Sequence, residues 1–203
     1  MASVHTLGDP ATGTALARLR DAATGMAAFR AAATSVGSLL AAHCAALLPH
    51  VPGEVQTPLG PAPTSTMPAV VAVPVLRAGL GLLSGVLTVF PDAAIGMIGL
   101  QRDEKTLQAQ QYYRNVPPLA GHHLLVLEPM LATGGSATDA LSLLPGAESV
   151  TVLSVVATPV ALQRIHATHP HATIVTAAID PGLDDNGFIV PGLGDFGDRL
   201  WGT

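Results

Sequence analysis

The sequence predicts an α/β protein built around a mainly parallel sheet. Short apolar runs rich in Val, Leu and Ile alternate with segments of helical character along residues 69–180. Runs this uniformly apolar are typical of strands covered on both faces, as in parallel sheets. A strand, a small-residue loop and a helix also follow one another at 123–144, which is the repeating unit of such sheets.

The predicted elements follow a regular order. Two Ala-rich helices are predicted at 11–24 and 26–48, and recurrent Pro predicts an extended connector at 51–68. Strands are predicted at 69–74, 94–100, 123–127, 150–157 and 173–178. Helices are predicted at 79–89, 136–144 and 160–167, with a projecting hairpin at 101–114. We expect one domain over 1–203, with a helical part (1–50), the connector (51–68), an α/β core (69–180) and a Gly/Pro/Asp-rich C-terminal loop (181–203).

Composition limits the classes of function. Of the 203 residues, 49% are hydrophobic and only 11% charged, which suggests that apolar surface is hidden in an oligomer interface. No apolar run reaches the roughly eighteen residues of a membrane span, so none is expected. Nine basic against fourteen acidic residues, without a basic stripe, argue against nucleic acid as a partner. The single cysteine, Cys44, fits a reducing cytoplasm.

The stretch 127–136 is the most informative motif. Glu128 ends an apolar strand, and two glycines then precede a predicted helix. The first N–H groups of a helix lack internal partners and its dipole is positive there, so this arrangement binds phosphate with the backbone. Thr133 and Ser136 add hydroxyl donors, and Glu128 is placed to reach sugar hydroxyls or a hydrated Mg²⁺. A turn without a ligand is the alternative for these residues alone.

Two arginines follow other predicted strands. Arg77 lies in a turn of small residues, and its planar fork suits phosphate oxygens, although a surface arginine is the alternative. Arg102 follows the next strand; alone it favours a solvated turn, but beside Arg77 it is a second candidate clamp for a diphosphate. Ligands of parallel sheets bind at the carboxyl ends of strands, where these motifs all fall.

The C-terminal stretch 192–197 has the form GxGxxG but is not interpreted as a dinucleotide site. Only six residues follow it, so we expect no helix to start there. It is interpreted as a loop whose backbone approaches a planar ligand, with Asp195 pointing into the site. His166, His169 and His171 have no neighbouring carboxylate or cysteine to complete a metal site.

Four segments together resemble uracil phosphoribosyltransferases. They are VPVLRAGLG at 73–81, IGLQRDEKTLQAQQYY at 98–113, LEPMLATGGSATDAL at 127–141 and TAAIDPGLDDNGFIVPGLGDFGDRLWGT at 176–203, in that family's order and spacing. The resemblance implies a type I phosphoribosyltransferase fold: a parallel sheet flanked by helices, with a small hood over the base. It implies a pentosyl transfer from phosphoribosyl diphosphate to uracil that gives UMP and pyrophosphate in pyrimidine salvage.

The resemblance also implies the roles of particular residues. Phosphoribosyl diphosphate would be bound by Arg77, Arg102, Glu128, Pro129, Met130, Leu131, Ala132, Thr133, Gly134, Gly135, Ser136 and Asp195. Uracil would contact Ile189, Gly194, Asp195 and Phe196, largely through backbone groups, and Arg77, Arg102 and Asp195 would be catalytic. Mg²⁺ would be carried by the substrate, with Glu128 reaching it through water. A non-proline cis peptide is expected at 76–78, and a homodimer or larger assembly in the cytoplasm.

Several positions depart from the family pattern, including three in the matching segments. Glu128 stands where the family has Asp, Phe196 where a small residue is usual, and Gln101 where Tyr is usual. A longer carboxylate arm and a Phe ring crowding the uracil pocket would lower activity or change the base accepted. These features leave open a non-catalytic or regulatory paralogue that binds phosphoribosyl diphosphate or a nucleotide.

Overall fold

The computed structural model describes residues 3–102 and 109–203, with side chains described at 3–101 and 111–203. The strands are β1 (Val4–Thr6), β2 (Val51–Thr57), β3 (Gly60–Thr66), β4 (Val70–Leu76), β5 (Ala94–Ile95), β6 (Met97–Arg102), β7 (Ala109–Asn115), β8 (His123–Leu127), β9 (Met130–Leu131), β10 (Ser149–Ala157), β11 (Thr173–Ile179), β12 (Gly182–Leu183) and β13 (Ile189–Val190). The helices are α1 (Pro10–Arg20), α2 (Met26–Leu47), α3 (Leu80–Val89), α4 (Gly135–Ser142), α5 (Pro159–Thr168) and α6 (Phe196–Trp201).

The main sheet has the strand order β1-β11-β10-β8-β4-β6-β7, with β5 beside β4 and β9 beside β10. All described pairings in it are parallel except β6 with β7, which forms the projecting hairpin predicted at 101–114. Residues 103–108, between β6 and β7 in the sequence, lie outside the described residues. The prediction of a mainly parallel sheet flanked by helices is confirmed.

Alternate residues of the central strands enter two separate cores. On one face, Val70, Ala72, Leu125 and Leu127 pack with α1, α2, α3 and α6. On the other face, Val71, Val73, Leu124 and Val126 pack with α4 and α5. Successive side chains of a strand point to opposite faces. Because both faces are covered, the strands need apolar residues at every position, and this explains the continuous runs in the sequence.

The N-terminal helices are close to their predicted bounds. At α1, the Asp9 carboxylate accepts a hydrogen bond from the Thr12 N–H at 2.9 Å, and Pro10 begins the helix. The helix ends at Arg20, four residues before the predicted end. The helix α2 spans 22 residues. Among the described residues, no helix combines the length and the apolarity needed to cross a membrane.

The Pro-rich connector is organised as an antiparallel hairpin of β2 and β3. Its prolines pair with Ser65, Gln56 and Glu54 across the ribbon, and Gly60 adopts a φ of 145° at the turn. Both strands of an isolated ribbon are edges, where Pro is tolerated because no further strand needs its N–H. Recurrent Pro therefore excluded a helix, as predicted, but not strand pairing.

The expectation that no helix starts in the GxGxxG stretch is wrong. Helix α6 begins at Phe196, inside that stretch, and the Asp195 carboxylate caps it by accepting from the Asp198 N–H at 2.8 Å. Six residues suffice because Phe196 and Leu200 are buried against α2. Tertiary packing rather than intrinsic propensity holds a helix this short.

Candidate functional site

The turns that follow the parallel strands meet at one edge of the sheet. The turn after β4 contains Arg77, Ala78 and Gly79, and a Cβ atom on Gly79 would overlap the carbonyl oxygen of Leu127 at the end of β8. A Cβ atom on Gly197 would lie 3.9 Å from the Cβ of Ala78. The β4 turn, the β8 loop and the C-terminal segment are therefore in contact, as expected for the carboxyl edge of a parallel sheet.

Hydrogen bonds to β10 and α5 fix the loop between β8 and α4. The Pro129 carbonyl accepts from the Val155 N–H at 2.9 Å. The N–H of Thr158 donates to the Leu131 carbonyl at 3.0 Å, and the Thr158 hydroxyl donates to the Ala132 carbonyl at 2.6 Å. The loop is thus held in shape by the protein itself.

The double glycine forms an open helix start. Gly134 adopts a φ of 75°, and α4 begins at Gly135 without a side-chain cap. The first N–H groups of α4 have no acceptor within the helix and form the positive end of its dipole; the Gly135 N–H donates to the Thr133 hydroxyl at 3.4 Å. A cavity of about 170 Å³, lined by residues 130–137 with Asn186 and Gly187, lies at this point. A cavity of this size at a helix start suits a phosphate group.

Glu128 is a buried carboxyl group at the end of β8. Only 8% of the residue is exposed. Burial raises the pKa of Glu128 to about 8, and a hydrogen bond with the Met130 backbone opposes this rise only in part. At neutral pH most of this carboxyl group is therefore protonated in the ligand-free protein. A protonated carboxyl group both donates and accepts hydrogen bonds, which suits a sugar hydroxyl.

A second cavity, of about 260 Å³, adjoins the first. Ala78, Glu128 and Met130 line one side of it, and Ile189 and residues 194–197 line the other. The two cavities share Met130, Ala132 and Gly187. We call these two adjoining cavities the trough; it has a small compartment at the helix start and a larger one beside the C-terminal loop.

Buried polar contacts anchor the C-terminal loop over the trough. Arg20 donates two hydrogen bonds to the Asp180 carboxylate, at 2.7 and 2.8 Å, and a third to the Gly192 carbonyl at 2.7 Å. The Gly192 N–H donates to Asp180 at 2.9 Å. Burial alone would raise the pKa of Asp180, but these hydrogen bonds and the charge of Arg20 outweigh it and lower the pKa. Asp180 is therefore an anion that ties α1 to the loop.

Arg199 provides a second anchor for the same loop. Its guanidinium donates to the Leu193 carbonyl at 2.7 Å and to the Asp21 carbonyl at 2.6 Å, and lies 4.5 Å from the centre of the Phe29 ring. Phe196 packs against the same ring at a centroid distance of 5.2 Å and is 1% exposed. The Phe196 ring is therefore part of the core beside α2. Because Phe196 also lines the larger cavity, crowding of a base there stays a prediction.

A larger cavity, of about 570 Å³, lies at the opposite edge of the sheet. It is lined by the ends of α4 and α5 and by the starts of β10 and β11. It contains none of the predicted site residues. Since this edge carries neither an open helix start nor a buried carboxylate, its larger volume is not an argument for the active site.

Comparisons with known proteins agree with this geometry. The family model described as uracil phosphoribosyltransferase matches residues 6–203. The chain belongs to the uracil phosphoribosyltransferase family. A relative of that name from Thermus thermophilus is 45% identical over 93% of both chains, and one from Shouchella clausii is 40% identical over the whole of both.

Solved structures place the fold among the type I phosphoribosyltransferases. The AQ2163 protein of Aquifex aeolicus superimposes with a TM-score of 0.94 at 33% identity, over 98% of both chains. An orotate phosphoribosyltransferase of Mycobacterium tuberculosis, solved with 5-phospho-alpha-D-ribosyl 1-diphosphate, gives a TM-score of 0.54 at 15% identity. That match covers 85% of this chain and 91% of the other. The second similarity concerns the fold alone.

The two arginines that the uracil phosphoribosyltransferase pattern singles out lie at the same edge of the sheet. The side chain of Arg77 is 57% exposed, and its Nη2 lies 3.5 Å from the Thr203 hydroxyl and 3.9 Å from an Asp198 carboxylate oxygen. The peptide bond between Leu76 and Arg77 is cis, as expected. Arg102 is the last residue of β6, a parallel neighbour of β4; its side chain lies outside the described residues.

The sequence did not reveal the residues that anchor the C-terminal loop. Arg20 and Asp180 are 160 positions apart, and Arg199 contacts residues about 180 positions away. Nothing in the local pattern around these residues indicates a partner so distant. The only signal was a charged residue in an otherwise apolar context, since Asp180 directly follows the fifth predicted strand.

Proposed function

We propose that this chain transfers the 5-phosphoribosyl group from phosphoribosyl diphosphate to uracil, which forms UMP and releases pyrophosphate. The observation that carries this proposal is the trough, because it joins a phosphate-sized compartment at a helix start to a larger one beside a backbone-rich loop. Membership of the uracil phosphoribosyltransferase family supports the same reaction.

The phosphoribosyl diphosphate would lie along the carboxyl edge of the sheet. Residues 133–136 would hold the 5-phosphate through backbone amides and hydroxyl groups. The buried carboxyl of Glu128 would bond a ribose hydroxyl, next to Pro129 and within the wall formed by residues 130–132. Arg77 and Arg102, at the ends of neighbouring strands, would bind the diphosphate from the exposed side.

Uracil would bind beneath the C-terminal loop. Ile189, Gly194, Asp195 and Phe196 line the larger compartment, and the Phe196 ring packs against Phe29 in the core. The loop would present backbone donors and acceptors to a planar base. Rigid backbone groups can form specific hydrogen bonds with a planar base, because the donors and acceptors along the edge of the base have fixed positions.

The chemistry needs positioning and charge stabilisation rather than a nucleophile from the protein. The bond from C1 of the ribose to the diphosphate oxygen breaks, a bond from uracil N1 to C1 forms, and the N1 proton passes to the departing pyrophosphate or to water. Negative charge moves to the departing pyrophosphate, where Arg77 and Arg102 would stabilise it. Alignment of two bound substrates is worth up to about 7–11 kcal/mol in favourable systems.

Mg²⁺ fits this site as a partner of the substrate. The described side chains contain no group of three or more His, Cys, Asp or Glu suited to hold a metal ion. In phosphate-transfer sites Mg²⁺ is commonly held by substrate phosphates, water and one or two carboxylates. Glu128 and Asp195 line the same cavity and would reach its water shell. When bound, the ion neutralises charge on the diphosphate.

A non-catalytic paralogue is the second candidate. Two sequence features favour it. One is Phe196, a large residue in the lining of the larger cavity, and the other is Glu128, whose longer side chain carries a carboxyl group with a raised pKa. Such a paralogue would bind phosphoribosyl diphosphate or a nucleotide without forming UMP.

Self-association in the cytoplasm is also part of the proposal. The hairpin of β2 and β3 exposes Val51, Val55 and Leu59, the last completely. A two-stranded hairpin is marginal on its own in water, so a second copy that covers it would stabilise it. Light scattering on a size-exclusion column tests this proposal; a monomer at micromolar concentration would contradict it.

Product analysis tests the proposed reaction. The purified chain is incubated with phosphoribosyl diphosphate, Mg²⁺ and uracil, with cytosine, orotate and hypoxanthine as alternative bases. We expect UMP and pyrophosphate in equal amounts from uracil alone. Binding of phosphoribosyl diphosphate without any product would support the paralogue. Product from another base only would refute uracil as the substrate.

A further inference from the structure

Helix α5 is seated directly on the double-glycine loop. A Cβ atom on Gly134 would lie 2.9 Å from the carbonyl oxygen of Ala161 and 3.0 Å from its Cα. Thr158 caps α5 by accepting from the Ala161 N–H at 3.1 Å while it donates to the loop at Ala132. The first turns of α5 therefore have a fixed position relative to the start of α4.

Arg164 lies one turn further along α5 and reaches the start of α4. A Cβ atom on Gly135 would lie 3.5 Å from Nη1 and 3.7 Å from Cζ of Arg164, and 3.6 Å from the Thr133 hydroxyl oxygen. The guanidinium and that hydroxyl thus flank the same point beside the first residue of α4. Gly135 leaves the space between them open because it has no side chain.

The charge of Arg164 is available to a ligand. The residue is exposed, and the salt bridges among the described residues involve Arg20 and Arg77 instead. Within the described part of the chain, no hydrogen bond engages the Arg164 guanidinium, although the Arg164 carbonyl accepts one from the Thr168 hydroxyl. A guanidinium beside the positive end of a helix dipole is repelled by it, and an anion between the two removes that repulsion.

We propose that Arg164 is a further phosphate-binding residue that contacts the 5-phosphate of phosphoribosyl diphosphate together with the start of α4. This inference rests on the proposed function, and it assigns a contact outside all four segments that carry the family resemblance. The planar fork of arginine can bond two phosphate oxygens at once. The Arg164 side chain would add a donor from α5 to a compartment whose other proposed donors belong to residues 133–136.

Calorimetric titration with ribose 5-phosphate tests this contact without catalysis. The variant R164Q removes the charge, R164K keeps it without the fork, and R18Q is the matched control because Arg18 is an exposed arginine on α1. We expect R164Q to weaken binding of ribose 5-phosphate by roughly five- to thirtyfold, the effect of about one charge-assisted hydrogen bond. R164K recovers part of the loss, and R18Q binds as the unsubstituted chain does.

Steady-state kinetics separate this role from a structural one. R164Q should raise KM for phosphoribosyl diphosphate by a similar factor, while KM for uracil and kcat change less than twofold. If R164Q matches the unsubstituted chain in both assays while UMP still forms, the role of Arg164 is refuted and the proposed function stands. If the unsubstituted chain neither binds ribose 5-phosphate nor forms UMP, both proposals are refuted.

Discussion

Glu128 shows how burial changes the pKa of a candidate site residue. The family pattern has Asp at this position, whereas here a longer carboxyl group ends β8 in a fully buried place, where burial raises its pKa to about 8. The sequence revealed the substitution but not its consequence, because the pKa depends on how many neighbours cover the side chain. The raised pKa of Glu128 therefore follows from the fold and not from the local sequence.

The pKa of Glu128 predicts a pH-dependent stability. A carboxyl group whose pKa is higher in the folded than in the unfolded chain stabilises the fold at low pH, and this contribution is lost as pH rises from about 4.5 through about 8. Relative to E128Q, the unsubstituted chain should lose on the order of a few kcal/mol of its free energy of unfolding between pH 5 and pH 9. Urea unfolding of both proteins across this pH range measures the difference between them. If that difference does not change with pH, the raised pKa of Glu128 is contradicted.

Phe196 shows that a residue singled out for the site can also have a structural role in the core. The sequence shows a large residue where the family has a small one, and crowding of the base was the direct interpretation. In the structure the ring enters the core against Phe29, and a Cβ atom on Gly81 would come within 2.7 Å of it. The absence of a side chain at position 81 makes room for the larger ring.

We therefore expect F196A to destabilise the protein without improving the use of uracil. Removing a buried Phe side chain typically costs about 3–5 kcal/mol of stability. V160A, at an exposed position of α5, is the control and should change stability by less than about 0.5 kcal/mol. Thermal unfolding and kcat/KM for uracil are measured together. Faster turnover in F196A would mean that the ring does obstruct the pocket.

At the scale of elements, the C-terminal loop depends on contacts from α1. Arg20 and Asp180 hold Gly192, which follows the cis peptide at Val190–Pro191. Neither charged side chain lines the trough, so both act by positioning the loop. The N-terminal helices therefore help to position this loop, although none of the four segments that carry the resemblance lies in them.

Loss of this anchor should affect the base more than the sugar. In D180N the bidentate ion pair is broken, and we expect KM for uracil to rise about tenfold, as one charged hydrogen bond is lost. KM for phosphoribosyl diphosphate should change less than twofold, because the loop after β8 has its own supports. Kinetics with each substrate varied in turn measure this. R18Q, on the same helix as Arg20, is the control; equal changes in both constants would indicate general loosening instead.

Helices α2 and α3 owe their close packing to two glycines. A Cβ atom on Gly85 would overlap the backbone at Thr34 and lie 2.6 Å from the Ser38 nitrogen, and one on Gly37 would lie 2.6 Å from the Leu82 carbonyl oxygen. The backbones approach closely enough for Ser38 to bond the Gly85 carbonyl at 3.2 Å. This contact supports the face of the sheet on which α6 also docks.

A matched pair of glycine substitutions tests this contact. G85A should destabilise the protein by at least about 1–3 kcal/mol, because the two helices must separate. G13A lies in α1 with open space around its Cβ position and should stabilise by about 0.5–1 kcal/mol through helix propensity. Chemical unfolding of both variants is the measurement. A G85A variant as stable as the unsubstituted chain would contradict the observed packing.

At the scale of the whole molecule, the sequence predicts those elements in which an uninterrupted run of apolar residues is buried. The strand at His123–Leu127 has its predicted bounds, since it is buried on both faces. The three-residue edge strand β1 was missed because two of its three side chains are exposed, and α6 because its stability comes from burial against α2. Arg164 was not singled out, since an isolated charge on a helix usually faces solvent.

The central claim is that turns far apart in sequence form one site for an activated sugar at the carboxyl edge of the sheet. Hydrogen exchange with and without phosphoribosyl diphosphate and Mg²⁺ tests it most directly. We predict slower amide exchange at 133–137 and at 192–197 together, with no change at 145–149 on the opposite edge. Protection confined to one of these segments, or appearing around 145–149, would contradict a shared site.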